Sequence, residues 1–495
     1  MKGADREVEK SERMSEHEAL MWNIEKDPWL NASGASLAIL DRPVDPERFR
    51  LHLRNAVASM PKLYQRVVPG LARLSTPAWV PDPEFDFDYH VRSIELPAPG
   101  DQRALLDLAA SLYMEPLDRT RPLWRFVTIS GLEGGGGAIW SLVHHVIADG
   151  IGQMRMAELY QSIDRDAPPP AEVDLEGIVA AAVAGASTKE SGGDLTSGLV
   201  GAARDTAGHL VRRNVGIARR VAGEVAMWPA DPRRAVERAE SAASLASAAV
   251  RQVIPSGSSE ETGSSLWTDR SRHRRLEHVR VQVDDLKAAG RVVGATLNDV
   301  FLAGLAEGAH RYHAERNVPV QSFNSSFVVS TREDSKVGGN SFTPVPVRLP
   351  AGPMSITERL ETIRDLTLAA RDDASKGGGL GALSGLVNQL PTTMITRAAR
   401  SAAGRIDFAT SNLRSAPFDL YCAGAKITGT VCMGPVAGTG ANITAMSLTG
   451  AFDIGIFVDP QAITEPSEFR DHIEAAFADL FAELAAHADE SESNQ

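Results

Sequence analysis

The chain has 495 residues, 43% apolar and 23% charged, with a net charge of −13. That length exceeds what one hydrophobic core accommodates and predicts two domains, with room for a helical insertion, while the composition excludes disorder as the dominant state. The acidic balance disfavours nucleic acid as a partner, because a phosphate backbone is held by a basic surface.

Residues 1–15 are expected to form a flexible N-terminus, and Met1 to Glu18 is a charged mixture without the apolar core of a secretory signal. The first mixed unit is placed at 16–166. Within it Ala35 to Leu40 predicts a strand, and Pro46 to Met60 a helix carrying Leu51, Leu53, Val57 and Met60. Phe85 to Val91 alternates like an edge strand, and Gln102 to Leu112 has helical spacing. Gly134 to Gly137 marks a turn before the apolar run Ala138 to Val143, which reads as a strand ending at His144 and His145. A helix is expected from Met154 to Ile163.

From Ala167 the sequence becomes rich in Pro, then Ala, Gly and Ser, so 167–265 predicts a connector with loose ends at Lys189 to Gly193 and Ser256 to Ser265. Helical periodicity returns over Leu199 to Met227 and Pro232 to Val253. Eight arginines between Arg204 and Arg238 make a local basic patch, either a solvated helix face or a docking surface for an anionic bilayer or coenzyme phosphates. The second mixed unit spans 266–487, with a strand at His278 to Val283, helices at Asp284 to Val293 and Leu297 to Tyr312, and a strand at Ser326 to Ser330. Cys422 and Cys432 lie in one apolar stretch, so buried thiols are expected, with neither a disulfide framework nor a metal site. Phe469, Ile473, Phe477, Leu480 and Leu484 predict a last helix with Thr464 as cap and Pro466 in the first turn. Residues 488–495 read as a flexible tail. The two cysteines fit a reducing cytoplasm, and no run of about 18 apolar residues offers a spanning helix, so any membrane contact is expected to be peripheral.

The segment Ser141-Leu142-Val143-His144-His145-Val146-Ile147-Ala148-Asp149-Gly150 carries the chemistry. Neighbouring side chains of an extended chain point to opposite faces, so only one of the two histidines can meet a given cavity. An imidazole titrates near neutral pH and can take a proton and return it, which suits acyl transfer to a hydroxyl. No G-x-S-x-G elbow or nucleophilic cysteine context accompanies it, so no acyl-enzyme is called for.

This H-H-x-x-x-D-G motif, with Pro116-Leu117-Asp118-Arg119-Thr120-Arg121-Pro122-Leu123-Trp124 upstream, resembles the bacterial wax ester synthase/acyl-CoA:diacylglycerol acyltransferase family. Further matches are Phe85 to His90, Ala295 to Val300, Gly339-Asn340, Leu420 to Ala425 and Asn442-Ile443-Thr444, so the likeness runs from about Ser15 to Leu484. The resemblance implies an α/β fold, an α+β sandwich of two coenzyme A-dependent acyltransferase-like domains with a tunnel between them. It implies His145 as base beside His144, with Asp149 shaping the loop through an ion pair, for which Arg332 is the candidate. Gly150 is expected to serve a backbone conformation that a Cβ would oppose. Asn298 and Asp299 are expected beside the site, the rival role being a helix start that caps its own backbone. Pro122, Leu123, Trp124, Asn442 and Thr444 are expected to line the channel, with core packing the rival for Trp124.

The resemblance further implies acyl-CoA as co-substrate, no permanently bound cofactor, and a long-chain alcohol or diacylglycerol as acceptor, with the anionic membrane or lipid droplet as a peripheral contact. A different acceptor on the same fold, as in condensation-type relatives, and a non-catalytic lipid-binding protein are the rivals. Two departures from the family pattern bear on these: Arg125 stands where an acidic residue is usual, and Ser411 to Pro417 lacks the usual Pro-Gly pair.

Overall fold

The computed structural model describes residues 13–70, 75–190, 263–330, 342–376, 387–388, 391–436 and 438–493. In chain order these form α1 (Glu16–Ile24), β1 (Ser33–Leu40), α2 (Pro46–Ser59), β2 (Gln65–Val68), β3 (Ala78–Pro81), α3 (Phe87–His90), β4 (Val91–Glu95), α4 (Gln102–Met114), β5 (Trp124–Ser130), β6 (Gly137–His144), α5 (Gly150–Ala157), β7 (Gln161–Ser162) and α6 (Leu175–Glu190). The second half contributes β8 (Arg275–Gln282), α7 (Val283–Val293), α8 (Leu297–Glu315), β9 (Ser322–Ser330), β10 (Phe342–Pro350), α9 (Ile356–Lys376), α10 (Thr392–Ala403), β11 (Phe408–Arg414), β12 (Tyr421–Cys422), β13 (Ala425–Met433), β14 (Ala441–Leu448), β15 (Ala451–Val458) and α11 (Pro466–Ser493).

Local chemistry sets the ends of these elements. Asp45 caps α2 by accepting from the backbone N–H of Glu47 and Arg48 at 3.0 and 3.1 Å, and Pro46 opens the first turn. Helix α7 ends at Gly294 with φ of 69°, the left-handed conformation that glycine adopts at least cost. The segment expected to be an edge strand from Phe85 to Val91 is instead the short helix α3 followed by β4: Asp86 accepts from the N–H of Asp88 at 2.9 Å, and Phe87 and His90, three apart, both turn inward. The final helix opens after Glu465, whose carbonyl accepts from Phe469 N–H at 3.1 Å, so Thr464 is not its cap.

Seven strands form one sheet in the order β4-β5-β6-β1-β13-β12-β7 and six form a second in the order β10-β9-β11-β14-β15-β8. Strands β12 and β13 belong by position to the second half, yet β13 pairs antiparallel with β1 and β12 pairs with β7. Residues 421–433, which lie within the second expected unit, thus cross over to complete the first sheet. The two sheets meet through a buried charged junction. Asp453 on β15 is 0% exposed, accepts from the Thr430 N–H on β13 at 2.9 Å, and is bound by His278 at 2.8 Å and Arg280 at 2.7 Å. Burial pushes its carboxyl up, but the hydrogen bonds from His278 and Arg280 outweigh this and hold it below the usual range. Close approach is also built in, since a Cβ on Gly455 would stand 2.1 Å from the Cys432 carbonyl oxygen.

Both cysteines are unpaired and buried, and burial pushes the Cys432 thiol up to about 12. Among the described residues no single helix is long and apolar enough to cross a membrane, and no cluster of three or more His, Cys, Asp or Glu is placed to hold a metal ion. The arginine-rich stretch from Arg204 to Arg238, the helices expected over 199–253, Arg332 and Gly339-Asn340 lie outside the described residues.

Candidate active site

Strand β6 delivers both histidines. Its ladder to β1 runs from Leu40–Gly137 to Ser33–His144, and its ladder to β5 reaches Trp124–Val143. One hydrogen bond further on each side fixes the end: His144 N–H donates to Leu123 O and His145 N–H to Ala32 O, both at 3.0 Å. The backbone is therefore held through the second histidine, and the two rings fall on opposite faces.

His144 faces α1 and is 1% exposed. Its Nδ1 accepts from the Val146 N–H at 3.0 Å, which leaves the proton on Nε2, 2.7 Å from Glu25 Oε2. Glu25 is further bound by Arg119 at 3.1 Å and the Ala32 N–H at 3.3 Å. Arg119 in turn lies 3.5 Å over the Trp22 ring and donates to the Trp22 carbonyl at 2.7 Å. Both nitrogens of His144 are thus occupied in tying α1 to the end of β6. Neither ring nitrogen of His144 is turned toward the face that His145 occupies.

His145 faces the other way and is half-buried as a residue, with its ring Nδ1 withdrawn from solvent. Its ring lies against Gly34 of β1, where a Cβ would stand 2.8 Å from Cε1. Burial, with a further push from His144, holds its pKa down at about 4; Asp149 pulls the other way, and His17 on α1 adds a smaller push downward. At neutral pH the ring is an uncharged base, with a carboxylate near enough to favour the imidazolium once it forms.

After the strand the chain turns sharply, Ile147 N–H donating to His144 O at 2.9 Å, and Asp149 caps α5. Its Oδ1 accepts from Gly152 N–H at 2.7 Å, and its carbonyl accepts from Gln153 N–H at 2.7 Å. The helix begins at Gly150, four residues before the expected Met154, because this cap is available there, and it ends at Ala157 rather than Ile163. Gly150 has ordinary helical backbone, so its expected conformational role is corrected. What a Cβ would meet is Leu413 of β11, at 3.0 Å. The Gln153 side chain donates to the Ala148 carbonyl at 3.2 Å and flanks the same point of Gly34 as the His145 ring.

The other expected residues fall into two groups. Asn442 on β14 is brought toward the site: its side chain packs on Gly434, and Thr444, 4% exposed, donates to Asn442 Oδ1 at 2.8 Å. Gly434 lies one residue past the Ala35–Met433 pair, and the Tyr113 hydroxyl, 2.8 Å from the Ser33 carbonyl and 3.2 Å from that of Gly434, pins this corner together. Pro122, Leu123 and Trp124, by contrast, are packed in the core. Trp124 is 0% exposed, donates Nε1–H to Leu63 O at 2.6 Å and stacks on His90 at 4.4 Å, so its channel role is corrected to core packing. Asp299 completes a capping box with Thr296 at the start of α8 and accepts from Thr367 at 2.6 Å, with Arg371 at 3.6 Å. The capping role therefore holds for Asp299. Its neighbour Asn298 keeps its Nδ2 out of solvent without an acceptor among the described residues.

With this geometry in place, comparison with known proteins decides the kinship. Residues 14–301 match the model of the wax ester synthase/diacylglycerol acyltransferase catalytic domain, and residues 338–481 that of the WS/DGAT C-terminal domain. The chain belongs to the wax ester synthase/diacylglycerol acyltransferase family. A Mycobacterium tuberculosis H37Rv protein, named as a candidate diacylglycerol O-acyltransferase, is 28% identical over 473 residues, covering 95% of this chain and 92% of the relative. A Mycobacterium bovis protein named in the same way is 27% identical over 430 residues, with 83% and 84% covered. The wax ester synthase/diacylglycerol acyltransferase of Marinobacter aquaeolei VT8 shares the fold with a TM-score of 0.64 at 18% identity, over 96% of this chain and 99% of that one. The first condensation domain of the CDA synthetase shares it at 0.52 and 16%, over 95% and 97%.

The chain is accordingly an acyltransferase, with acyl-CoA the substrate class of its family. Both departures from the WS/DGAT pattern have a structural setting. Arg125 is 4% exposed and reaches Glu115 at 2.8 Å. Ser411 to Arg414 continue strand β11 rather than turning, and Ser415 N–H donates to Ser447 O at 2.9 Å, which is how Leu413 comes to rest on Gly150. Sequence reasoning missed Gly34, Glu25 and His17, and quoted Arg119 only as part of the upstream motif. A glycine inside a strand marks close backbone approach, and Ser15 with Glu18 is a capping-box signal for the helix that carries His17 and ends at Glu25 as its C-cap.

Proposed function

We propose that this protein transfers a fatty acyl group from acyl-CoA to the hydroxyl of a long-chain alcohol or a diacylglycerol, with His145 as general base and no acyl-enzyme. The observation that carries the reading is the His145 ring at the end of β6, seated on Gly34 with Asp149 nearby, where burial lowers its pKa. The ring takes the acceptor O–H proton as the oxygen attacks the thioester carbonyl. A tetrahedral oxyanion forms, and the imidazolium, favoured by Asp149, gives its proton to the departing thiolate. Asn442 and Asn298 are the amides we assign to orienting the acceptor or holding the oxyanion.

Water-insoluble acceptors place the reaction at a cytoplasmic lipid surface, the inner membrane or a lipid droplet, in this reading. The exposed side chains of Leu159, Ile163 and Phe418, at 40%, 73% and 52%, near the short β7–β12 pair, support it.

An acceptor screen tests the function. Purified protein with palmitoyl-CoA should release thiol in the presence of hexadecanol or dioleoylglycerol; turnover only with amines or carrier-bound thioesters, or none with any acceptor, would reject it.

A further inference from the structure

A cleft of about 650 Å³ opens between α1, the strand β2 and the loop leading into β5. Its volume lies in the range of small-molecule sites. Lys26, Arg66 and Arg119 line it against a single carboxylate, Glu25, with Trp22 and Thr120 beside them. In a chain of net charge −13, three cations converging on one concavity run against the overall balance and focus a local positive potential.

Glu25 neutralises Arg119, to which it is bound at 3.1 Å, and its remaining contacts go to His144 and the Ala32 N–H, so Lys26 and Arg66 face no further carboxylate in the lining. Arg119 is likewise held, by Glu25 and the Trp22 carbonyl. Arg66 is different. Its side-chain Nε is withdrawn from solvent and has no hydrogen-bond partner among the described residues. A guanidinium N–H that is desolvated and unmatched costs free energy, and an oxyanion that offers two oxygens to the planar guanidinium fork completes it.

We propose that this cleft is a binding site for a phosphate ester, with Arg66 as its principal ligand and Lys26 and Arg119 as its flanks. Two sources carry that chemistry: the 3′,5′-bisphosphate end of coenzyme A and the headgroup of an anionic phospholipid. The coenzyme source rests on the acyl-CoA reading above, whereas the site itself does not. The cleft is coupled to the chemistry through one residue, since Glu25 both lines it and holds His144, the neighbour of the base.

The test measures binding by the full-length protein, independently of turnover. Titration calorimetry with 3′,5′-ADP, and sedimentation with phosphatidylglycerol vesicles, are run on the parent, Arg66→Ala, Arg66→Lys and His145→Ala. Loss of a charge-assisted, bidentate contact predicts about tenfold weaker binding for Arg66→Ala, partial recovery for Arg66→Lys, and weakening with added salt. That pattern with 3′,5′-ADP supports the site with the coenzyme as source; the same pattern with vesicles alone supports it with the phospholipid as source. His145→Ala should bind as the parent does, so failure of the acyl-transfer reading leaves this result standing. Parent protein that binds neither probe, or binding by Arg66→Ala as tight as the parent's for both, overturns the proposal.

Discussion

The ring of His145 rests directly on the backbone of Gly34: a Cβ there would stand 2.8 Å from Cε1 and 3.5 Å from Nδ1. No side chain fits that space without moving the ring. Gly34→Ala is expected to keep the fold, since the strand pairing of β1 is unaffected, and to lower kcat by about a hundredfold, as displacements near 1 Å of a reacting group do. Thiol release beside a thermal melt checks this; unchanged kcat would show that the ring is not where turnover needs it.

The two histidines should separate by phenotype. His144→Ala leaves the Glu25 carboxylate with one donor fewer in a buried network, an expected loss of about 1–3 kcal/mol, whereas substitution of His145 removes the base and leaves that network whole. Urea unfolding of both variants measures the contrast. Equal stability for His144→Ala and the parent, with turnover abolished, would return His144 to the chemistry.

Asp149 combines two roles that one substitution can divide. Asp149→Asn retains an oxygen to accept from Gly152 N–H and removes the charge that favours the His145 imidazolium; Asp149→Ala removes both. The alanine variant should lose about 1 kcal/mol more stability than the asparagine variant, while both lose activity. If asparagine supports full kcat, the carboxylate charge plays no part.

Acid should destabilise the fold well before carboxylates are fully protonated. His90, His145 and His313 are each held at about 4, mainly by burial, against 6.5 for the free group. Their contribution is complete above pH 6.5, falls as pH drops through the interval where the unfolded chain takes up protons and the folded chain does not, and is gone by about 4. Asp407, raised by burial from 3.8 to about 6, acts with the opposite sign and offsets one of the three protons. The urea midpoint should thus be flat from pH 8 to 6.5 and decline between 6.5 and 4, less steeply in His90→Phe. A midpoint constant across that range would contradict the burial of these rings as neutral species.

What the sequence disclosed was local. The helices α2 and α4 and strand β6 follow from periodicity and capping residues within a few positions, and the motif placed both histidines at a strand end. What it hid was non-local. Nothing within residues 421–433 signals that they complete a sheet begun at residue 33, because that pairing is fixed by contacts across the whole chain. Trp124 shows the same limit: its motif drew attention to a channel, whereas packing on His90 and the bond to Leu63 O put it in the core. Which face each histidine took could not be read from alternation alone; it was decided by Glu25 on one side and Gly34 on the other.

The most direct measurement is single-turnover thiol release from palmitoyl-CoA with hexadecanol, comparing the parent with a folded His145→Ala variant. A loss of at least about a hundredfold, the contribution typical of a positioned base, is predicted, with the melting temperature unchanged. Release at the parent rate by that variant would contradict the role of His145 and with it the mechanism.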